Sequence, residues 1–340
     1  MPISHTNKPQ IFITMGDPAG VGPEVIMKSM ASPDIMELAI FTIVADAEVI
    51  KKASEGLFPG KFTVHQGVGL DEKIDLDEGS VNVLDPGPPL KEASPGKATA
   101  EGAKKALECI KAAAMIMQDP GCKTPRAMVT APVSKEAIAR VHEGFIGHTE
   151  YLQEACSARL VTMVLTGEKL CVVPVTRHIP LSEVSGALTT ELIVDTLRQV
   201  VEGRKLLSKN DPARIGVSAL NPHCGESGKI GTEEIDIIAP AVEKAKNFYE
   251  HIEGPVSGDT IFYRALKKKI DIVVSMYHDQ CLAPFKMVEF NSGVNVTLGL
   301  GWVRTSPDHG TAFDIAGKNL ADPGSMKQAI KLASRAISGN

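Results

Sequence analysis

The chain has 340 residues, of which 43% are hydrophobic and 23% are charged, and its formal net charge is −5. This length is sufficient for two globular domains, each with its own core. Nucleic-acid binding is disfavoured, because phosphate contacts need a concentrated basic surface and the basic run Lys267–Lys269 is short.

Neither membrane association nor disulfide bonding is indicated. Met1–Gln10 is polar, and no segment approaches the ~18 apolar residues that a membrane-spanning helix needs. We therefore expect a cytoplasmic protein that does not contact membranes. The cysteines are scattered without a close pair, which argues against both a disulfide framework and a cysteine-rich zinc site.

The first strand is predicted at Gln10–Met15 and leads into the glycine-rich turn Gly16–Glu24, with sequence GDPAGVGPE. A helix is predicted to begin near Pro23, because proline is favoured in the first turn of a helix. The turn does not match the dinucleotide fingerprint G-x-G-x-x-G, which requires glycine at the position of Val25. It is either a turn that needs glycine for its backbone or a loop that borders a nucleotide site.

Strand-like and helix-like patterns alternate through the first half of the chain. Further strands are predicted at Ala39–Ala45, Lys61–His65 and Arg126–Thr130, and a long helix is predicted over Gly96–Gln118. Strands that alternate with helices are typical of a largely parallel sheet. The sequence therefore predicts an α/β fold.

His148 and Thr149 directly precede an apolar helical pattern at Tyr151–Cys156. Thr149 is predicted either to cap this helix or to contribute, with exposed backbone amides, to an anion site. Capping does not explain His148, because a cap needs no imidazole before it.

Three histidines occur in the same context: His178, His223 and His278 each follow an apolar run. Three imidazoles at one edge of a sheet, with solvent or substrate completing the coordination, are a common catalytic site for a divalent metal. Histidine after a strand is also a common hydrogen-bonded loop residue, so the spacing leaves both interpretations open. Asp279 either orients an imidazole, accepts a proton or closes the loop.

The segment from Ile272 to Asp314 alternates apolar runs with polar clusters, which is typical of a site at the carboxyl ends of α/β strands. Lys286 and Arg304 provide cations for an anionic substrate, and Asp314 provides a carboxylate for a ribose hydroxyl.

The segment Asp308–Lys318 resembles the adenosine-binding loop of the isopropylmalate and isocitrate dehydrogenases, and Gly16–Glu24 is similar to their opening turn. A closer resemblance, over nearly the whole chain, is to the 4-hydroxythreonine-4-phosphate dehydrogenase family. The motifs that carry it include GDPAGVGPE, GHTE, NPHCGE, MYHDQ, GVNVTLGL and RTSPDHGTA. Departures include Cys224, Cys281 and the pair Gly301–Trp302, which bear on substrate preference rather than on the class of reaction.

The resemblance implies a role for each residue that matches the family's motifs. His178, His223 and His278 are expected to bind one divalent ion (Zn, Mg or Co), with His178 contributed across a homodimer interface. NAD or NADP is expected at Gly310, Thr311 and Asp314. Asp279 and Lys286 are predicted to be catalytic, and the residues expected to bind substrate are His148, Thr149, Lys286, Asn295 and Arg304.

The implied reaction is the oxidation of 4-phosphooxy-L-threonine at its secondary alcohol, followed by decarboxylation, in pyridoxal phosphate biosynthesis. A D-threonate or D-erythronate 4-phosphate dehydrogenase is an alternative, and a phosphate acyltransferase or a phospho-ligand binding protein is a more remote one. The implied fold has two α/β/α domains with a cleft between them. We predict that residues 1–130 and 296–340 form the first domain and residues 131–295 form the second.

Overall fold

A computed structural model of the chain describes residues 8–66, 80–290 and 292–338. The strands are β1 (Gln10–Thr14), β2 (Ile40–Val44), β3 (Thr63–Gln66), β4 (Ser80–Leu84), β5 (Arg126–Thr130), β6 (Thr162–Thr166), β7 (Cys171–Pro174), β8 (Ile215–Ser218), β9 (Ile252–Val256), β10 (Ile272–Ser275), β11 (Val294–Leu298) and β12 (Val303–Pro307). The helices are α1 (Gly22–Met30), α2 (Pro33–Met36), α3 (Ala47–Leu57), α4 (Ala100–Gln118), α5 (Lys135–Ala139), α6 (His148–Ala155), α7 (Val184–Ala187), α8 (Thr190–Leu207), α9 (Ala239–Lys246), α10 (Gly258–Leu266), α11 (His278–Glu289) and α12 (Gly324–Ile337).

The chain divides into two compact units, and the first contains Met1–Arg159 together with Leu300–Asn340. Its sheet has the order β3-β4-β2-β1-β5-β12, and each of these pairs is parallel. The central strands β1 and β5 are almost fully buried, as continuous apolar runs in a parallel sheet should be. The predicted β1, β2, β5 and α1 are therefore confirmed.

The second unit is Leu160–Gly299. Its strand order is β11-β6-β7-β10-β8-β9. The strands β7, β10, β8 and β9 pair in parallel, whereas β6 pairs with both β7 and β11 in the antiparallel sense. The strands of the second unit therefore form a mixed sheet, in which β6 makes the antiparallel pairs and β7, β10, β8 and β9 follow as parallel neighbours.

The unit boundaries differ from those predicted at residues 130 and 295. Residues 131–159 belong to the first unit because α5 and α6 extend the packing around α4: Ala103 and Ala106 of α4 share a buried cluster with Ile138 and Phe145. Residues 296–299 belong to the second unit, because β11 pairs with β6 along its whole length. No strand was predicted at the position of β6, so the pairing of β11 with it could not be anticipated from the sequence.

The predicted cap at Thr149 is wrong. The helix α6 begins at His148, its N-cap is Gly147, and Gly147 has no side chain to make a capping hydrogen bond. Thr149 therefore lies in the first turn of the helix, where it is buried. No helix in the described ranges is long and apolar enough to cross a membrane.

Candidate functional site

The predicted metal ligands follow three neighbouring parallel strands of the second unit. His178 follows β7, His278 follows β10 and His223 follows β8, and these strands lie side by side in the order β7-β10-β8. Because parallel strands end at the same edge of a sheet, all three histidines leave from one edge.

Hydrogen bonds beyond the strand ends hold these loops in register. The backbone N–H of Val175 donates to the carbonyl of Ser275 at 2.8 Å, and the Thr176 hydroxyl donates to the carbonyl of Met276 at 2.8 Å. The Gln280 amide accepts from the Met276 N–H at 2.7 Å and donates to the Ala219 carbonyl at 2.6 Å. This amide therefore ties the end of β10 to the segment after β8.

His178 and His278 lie together within one chain. Their ring centroids are 5.7 Å apart and the rings are tilted by 46°. Two imidazoles that bind one ion at about 2.0–2.1 Å have ring centres at roughly this separation. The pair therefore fits two ligands of a single metal ion.

His278 and His223 each have a carboxylate next to one ring nitrogen. Nδ1 of His278 lies 2.7 Å from Oδ1 of Asp279, and Nδ1 of His223 lies 3.0 Å from Oε1 of Glu226. The hydrogen bond to Glu226 raises the pKa of His223. A carboxylate on one ring nitrogen leaves the other for a metal, which is the usual arrangement around metal-binding histidines.

His223 does not join the His178 and His278 pair in this chain. Within residues 8–66, 80–290 and 292–338, no group of three or more His, Cys, Asp or Glu side chains is arranged to hold a metal ion. The structure thus brings together two of the three predicted ligands. The side chain of His223 is 67% exposed.

The first unit contains two cations, Arg304 and Lys135, beside the polar side chains of His148 and Thr130, and we call these four residues the anion cluster because they are suited to binding an anion. Arg304 lies on β12 and is only 3% exposed. Its Nη2 donates to Oγ1 of Thr130, the last residue of β5, at 2.6 Å. Burial lowers the pKa of Arg304 to about 10, and the nearby Glu150 raises it. A guanidinium buried in this way is suited to binding an anion.

His148 contributes a neutral imidazole to the anion cluster. Burial and the positive charges of Arg304 and Lys135 hold its pKa well below 6.5. Its Nε2 atom is enclosed and has no hydrogen-bond partner among the residues that the structure describes. A Cβ placed on Gly147 would lie 3.4 Å from Nζ of Lys135. The start of α6 therefore lies next to the positive charge of Lys135, with Oε2 of Glu150 3.2 Å from the same Cβ position.

Replacing His148 with glutamine should make the protein less sensitive to acid. Below the ordinary histidine pKa of 6.5, the unfolded chain binds a proton that folded His148 cannot accept. The free energy of unfolding should therefore fall with decreasing pH by up to about 1.4 kcal/mol per pH unit, until the folded pKa is reached. Urea unfolding at pH 7.5 and 5.5 measures this slope. His148→Gln should show a shallower slope than a control at the exposed His142, and equal slopes would contradict the assignment.

The other predicted substrate residues lie in the second unit. Lys286 is half-buried on α11, with its Nζ 5.7 Å from the centre of the Phe290 ring. Asn295 lies on β11, and its Oδ1 is buried without a hydrogen-bond partner in the described part of the chain. A buried amide oxygen of this kind is available to a ligand donor.

The glycine-rich turn of the first unit packs against the predicted nucleotide loop, Asp308–Lys318. The N–H of Val21 donates to the Thr311 carbonyl at 2.9 Å. A Cβ on Gly20 would lie 3.0 Å from the same carbonyl oxygen. Glycine is therefore needed in the turn because backbone approaches backbone here.

Helix α1 supports the end of this loop. Glu24 accepts hydrogen bonds from Nζ of Lys28 and from the N–H of Ala321, each at 2.9 Å. Lys28 also donates to the carbonyl of Asn319 at 3.1 Å. A cavity of about 270 Å³ lies beside these contacts and is lined in part by Pro23, Glu24, Gly317 and Asn319. Asp314 is exposed on the same loop.

Sequence reasoning missed Lys135, Thr130 and Gln280 as site residues. Thr130 ends a buried strand and Lys135 begins the next helix, so the segment Thr130–Lys135 carried the same strand-end signal as the histidine loops. Gln280 lay within the predicted active-site segment, but its role depends on contacts across strands.

The fold places the chain in a known class. The structure of a β-decarboxylating dehydrogenase from Thermococcus kodakarensis aligns with a TM-score of 0.50 at 12% identity, covering 97% of this chain and 84% of that one. The predicted fold class, an α/β fold of the isopropylmalate dehydrogenase type, is confirmed.

Similarity to individual proteins is stronger. The crystal structure of 4-hydroxythreonine-4-phosphate dehydrogenase from Klebsiella pneumoniae aligns with a TM-score of 0.82 at 34% identity, covering 97% of this chain and 99% of that one. A protein of the same name from Desulfosudis oleivorans is 40% identical over 327 residues, which is 96% of this chain and 95% of the relative. The family model for pyridoxal phosphate biosynthetic protein PdxA matches residues 37–333. The chain belongs to the PdxA family, which confirms the resemblance found in the sequence.

Proposed function

We propose that the protein oxidises 4-phosphooxy-L-threonine at its secondary alcohol with NAD or NADP, and that the product loses carbon dioxide to give 3-amino-2-oxopropyl phosphate. The observation that carries this proposal is the 40% identity to a 4-hydroxythreonine-4-phosphate dehydrogenase over almost the full length of both chains. This activity belongs to pyridoxal phosphate biosynthesis, in keeping with the PdxA family.

The anion cluster supports a phosphorylated or carboxylated substrate. Arg304 is buried, and its Nε and Nη2 donate to the Thr130 hydroxyl, so it is a fixed positive charge that can attract an oxyanion. Lys135 adds a second positive charge beside the N-terminus of α6, where Thr149 lies. We assign His148, Thr149, Lys286, Asn295 and Arg304 to substrate binding.

We assign His178, His223 and His278 to one divalent metal ion. When bound, the ion would stabilise the alkoxide of the substrate and polarise the resulting ketone. Asp279 holds Nδ1 of His278 and thereby directs its Nε2 lone pair outward. Lys286 follows on the same helix and is assigned to neutralise charge on the reacting acid.

A homodimer is consistent with the surface next to these histidines. Large apolar side chains are exposed on the segments that follow them: Leu181 is 70% exposed, Ile235 53%, Met287 88% and Phe290 74%. Large apolar side chains that are exposed in one chain can be covered in an interface with another. We propose that a second copy covers this surface and completes the coordination of the metal.

We assign the adenosine end of the cofactor to Gly310, Thr311 and Asp314. The exposed carboxylate of Asp314 can accept hydrogen bonds from ribose hydroxyls but repels a 2′-phosphate. The protein should therefore prefer NAD, although Lys318 on the same loop is a cation that favours the phosphate. Lys327 is engaged elsewhere, since its Nζ donates to the Ser32 hydroxyl at 3.0 Å.

Asp314→Ala should erode the preference for NAD by improving the relative use of NADP. The specificity constants for both cofactors, measured in wild type and variant, give the ratio. Glu92→Ala, which removes a surface carboxylate outside the loop, is the control. An unaltered ratio, or a wild type that prefers NADP, would contradict the role of Asp314.

A substrate panel tests the proposed function. Metal-reconstituted protein is supplied with NAD and with phosphorylated four-carbon acids, namely 4-phosphooxy-L-threonine, D-threonate 4-phosphate and D-erythronate 4-phosphate. We expect the fastest NAD reduction with 4-phosphooxy-L-threonine, together with release of carbon dioxide. A higher specificity constant for a sugar-acid phosphate would assign the protein to that substrate instead, and no reduction with any of them would overturn the dehydrogenase assignment.

A further inference from the structure

The loop that carries His223 has an unusual backbone. Five consecutive residues of the turn Pro222–Gly228 adopt left-handed helical angles, with φ values of 51°, 56°, 74°, 44° and 59°. In order, they are His223, Cys224, Gly225, Glu226 and Ser227. Four of the five are L-residues that carry a Cβ. We call this segment the left-handed turn.

Such a conformation does not persist without support. In left-handed helical geometry the Cβ of an L-residue approaches the following carbonyl oxygen, and glycine alone escapes this cost. Several consecutive residues in this region therefore need surroundings that hold them, and conformations of this kind concentrate at functional sites.

A buried carboxylate supplies part of this support, beside Glu233, whose Oε2 accepts from the Asn221 side-chain amide at 2.7 Å. Glu234 is 3% exposed, and its Oε1 accepts hydrogen bonds from the N–H groups of Leu220 at 2.8 Å and Asn221 at 2.7 Å. Its Oε2 accepts from the Asn221 side-chain amide at 3.0 Å. These bonds fix the two residues that lead into the turn.

The carboxylate also fits against the middle of the turn. A Cβ on Gly225 would lie 2.8 Å from Oε2 of Glu234 and 2.7 Å from the carbonyl oxygen of Gly231. The turn closes where the Ile230 N–H donates to the Gly225 carbonyl at 3.1 Å. Glu234 therefore contacts the entry and the centre of the left-handed turn.

We propose that Glu234 is a positioning residue that sets the direction of His223 by holding the left-handed turn. This inference rests on the proposed role of His223 as a metal ligand. If Glu234 is weakened, the turn relaxes toward conformations that its L-residues prefer, and the imidazole moves out of the coordination geometry.

Glu234→Gln tests this role with little change in side-chain volume. The substitution removes one acceptor, because an amide cannot accept from both the backbone N–H groups and the Asn221 amide. The probe is Co²⁺, followed by its absorption spectrum and its dissociation constant. We expect the Co²⁺ affinity to fall at least tenfold and the spectrum to change. Glu289→Gln is the matched control, since Glu289 is 2% exposed and accepts from the N–H groups of Lys169 and Leu170. It should lower the melting temperature while leaving Co²⁺ binding within twofold of wild type.

A second substitution separates turn geometry from general stability. Ser227 is exposed with φ of 59°, so Ser227→Gly removes the cost of a Cβ, whereas Ser227→Ala removes the same hydroxyl and keeps that cost. In the Glu234→Gln background, glycine should restore most of the Co²⁺ affinity and alanine should not. If Glu234→Gln does not fold, Ser227→Gly should melt higher than Ser227→Ala in the wild-type background.

Three results would overturn the inference: wild-type Co²⁺ affinity in Glu234→Gln, equal rescue by glycine and alanine, or equal melting temperatures of the two Ser227 variants in the wild-type background. The proposed metal role fails separately if His223→Ala binds Co²⁺ as tightly as wild type.

Discussion

Replacing Arg304 with alanine should lower kcat/KM for the phosphorylated acid by about 30-fold or more. Loss of one partner from a buried charged contact typically costs about 2–5 kcal/mol, because the other charge is left unpaired. Arg304 is 3% exposed, and its Nη2 is held by Thr130, so solvent would poorly replace the lost guanidinium. Steady-state kinetics with varied substrate at saturating NAD gives the measurement.

Two variants separate recognition of the anion from stability. Arg264→Ala is the control, because Arg264 is a partly exposed arginine that pairs with Glu253 at 2.7 Å on the second unit, outside the assigned site. It should leave kcat/KM close to wild type. Thr130→Val removes the hydroxyl that orients Arg304 and should give a smaller loss than Arg304→Ala. An unchanged kcat/KM in folded Arg304→Ala would refute the role of this residue in binding the substrate.

Much of the fold and part of the candidate site could be predicted because they depend on local pattern. Continuous apolar runs such as Ile272–Met276 identify buried parallel strands, and the polar residues after them mark the functional edge of a sheet. That argument located His178, His223 and His278 on one edge. The same argument explains why the predicted limits of β5, Arg126–Thr130, agree with the structure.

The features that were missed depend on contacts between distant segments. The antiparallel strand β6 does not interrupt the apolar pattern of the sequence. The unit boundary near residue 160 therefore could not be predicted from that pattern. Gly147 rather than Thr149 caps α6, because the backbone enters the helix two residues earlier than the apolar periodicity suggests. The left-handed turn at His223 could not be predicted, since four of its five residues disfavour that conformation and Glu234 holds it from a later part of the chain.

We propose a division of the metal ligands between two copies of the chain that differs from the one the family resemblance implies. The family resemblance implies that His178 comes from the partner of the chain that provides His223 and His278. In this chain His178 and His278 are neighbours, with ring centroids 5.7 Å apart, and the described residues include no three-ligand cluster. We therefore propose that His178 and His278 act as a pair with His223 of a second copy.

Each histidine-to-alanine variant alone should lose bound metal and turnover. His223→Ala should also retain its fold, because the side chain is 67% exposed and its removal leaves no cavity in a core. Metal content by atomic absorption and melting temperature by circular dichroism measure the two effects. Full metal occupancy in His223→Ala would refute its assignment as a ligand.

Mixtures of inactive variants distinguish the two divisions of the ligands. If His178 and His278 act from one chain, mixing His178→Ala with His223→Ala restores one intact site in each heterodimer, and so does mixing His278→Ala with His223→Ala. Mixing His178→Ala with His278→Ala should restore nothing, because each His178–His278 pair in that heterodimer has lost one histidine.

If His178 alone crosses the interface, the mixture of His178→Ala with His278→Ala should regain activity. The mixture of His278→Ala with His223→Ala should then remain inactive. The heterodimers are purified after subunit exchange between protomers that carry different tags. Activity in the heterodimer of His178→Ala with His278→Ala would refute the proposed pairing of His178 with His278.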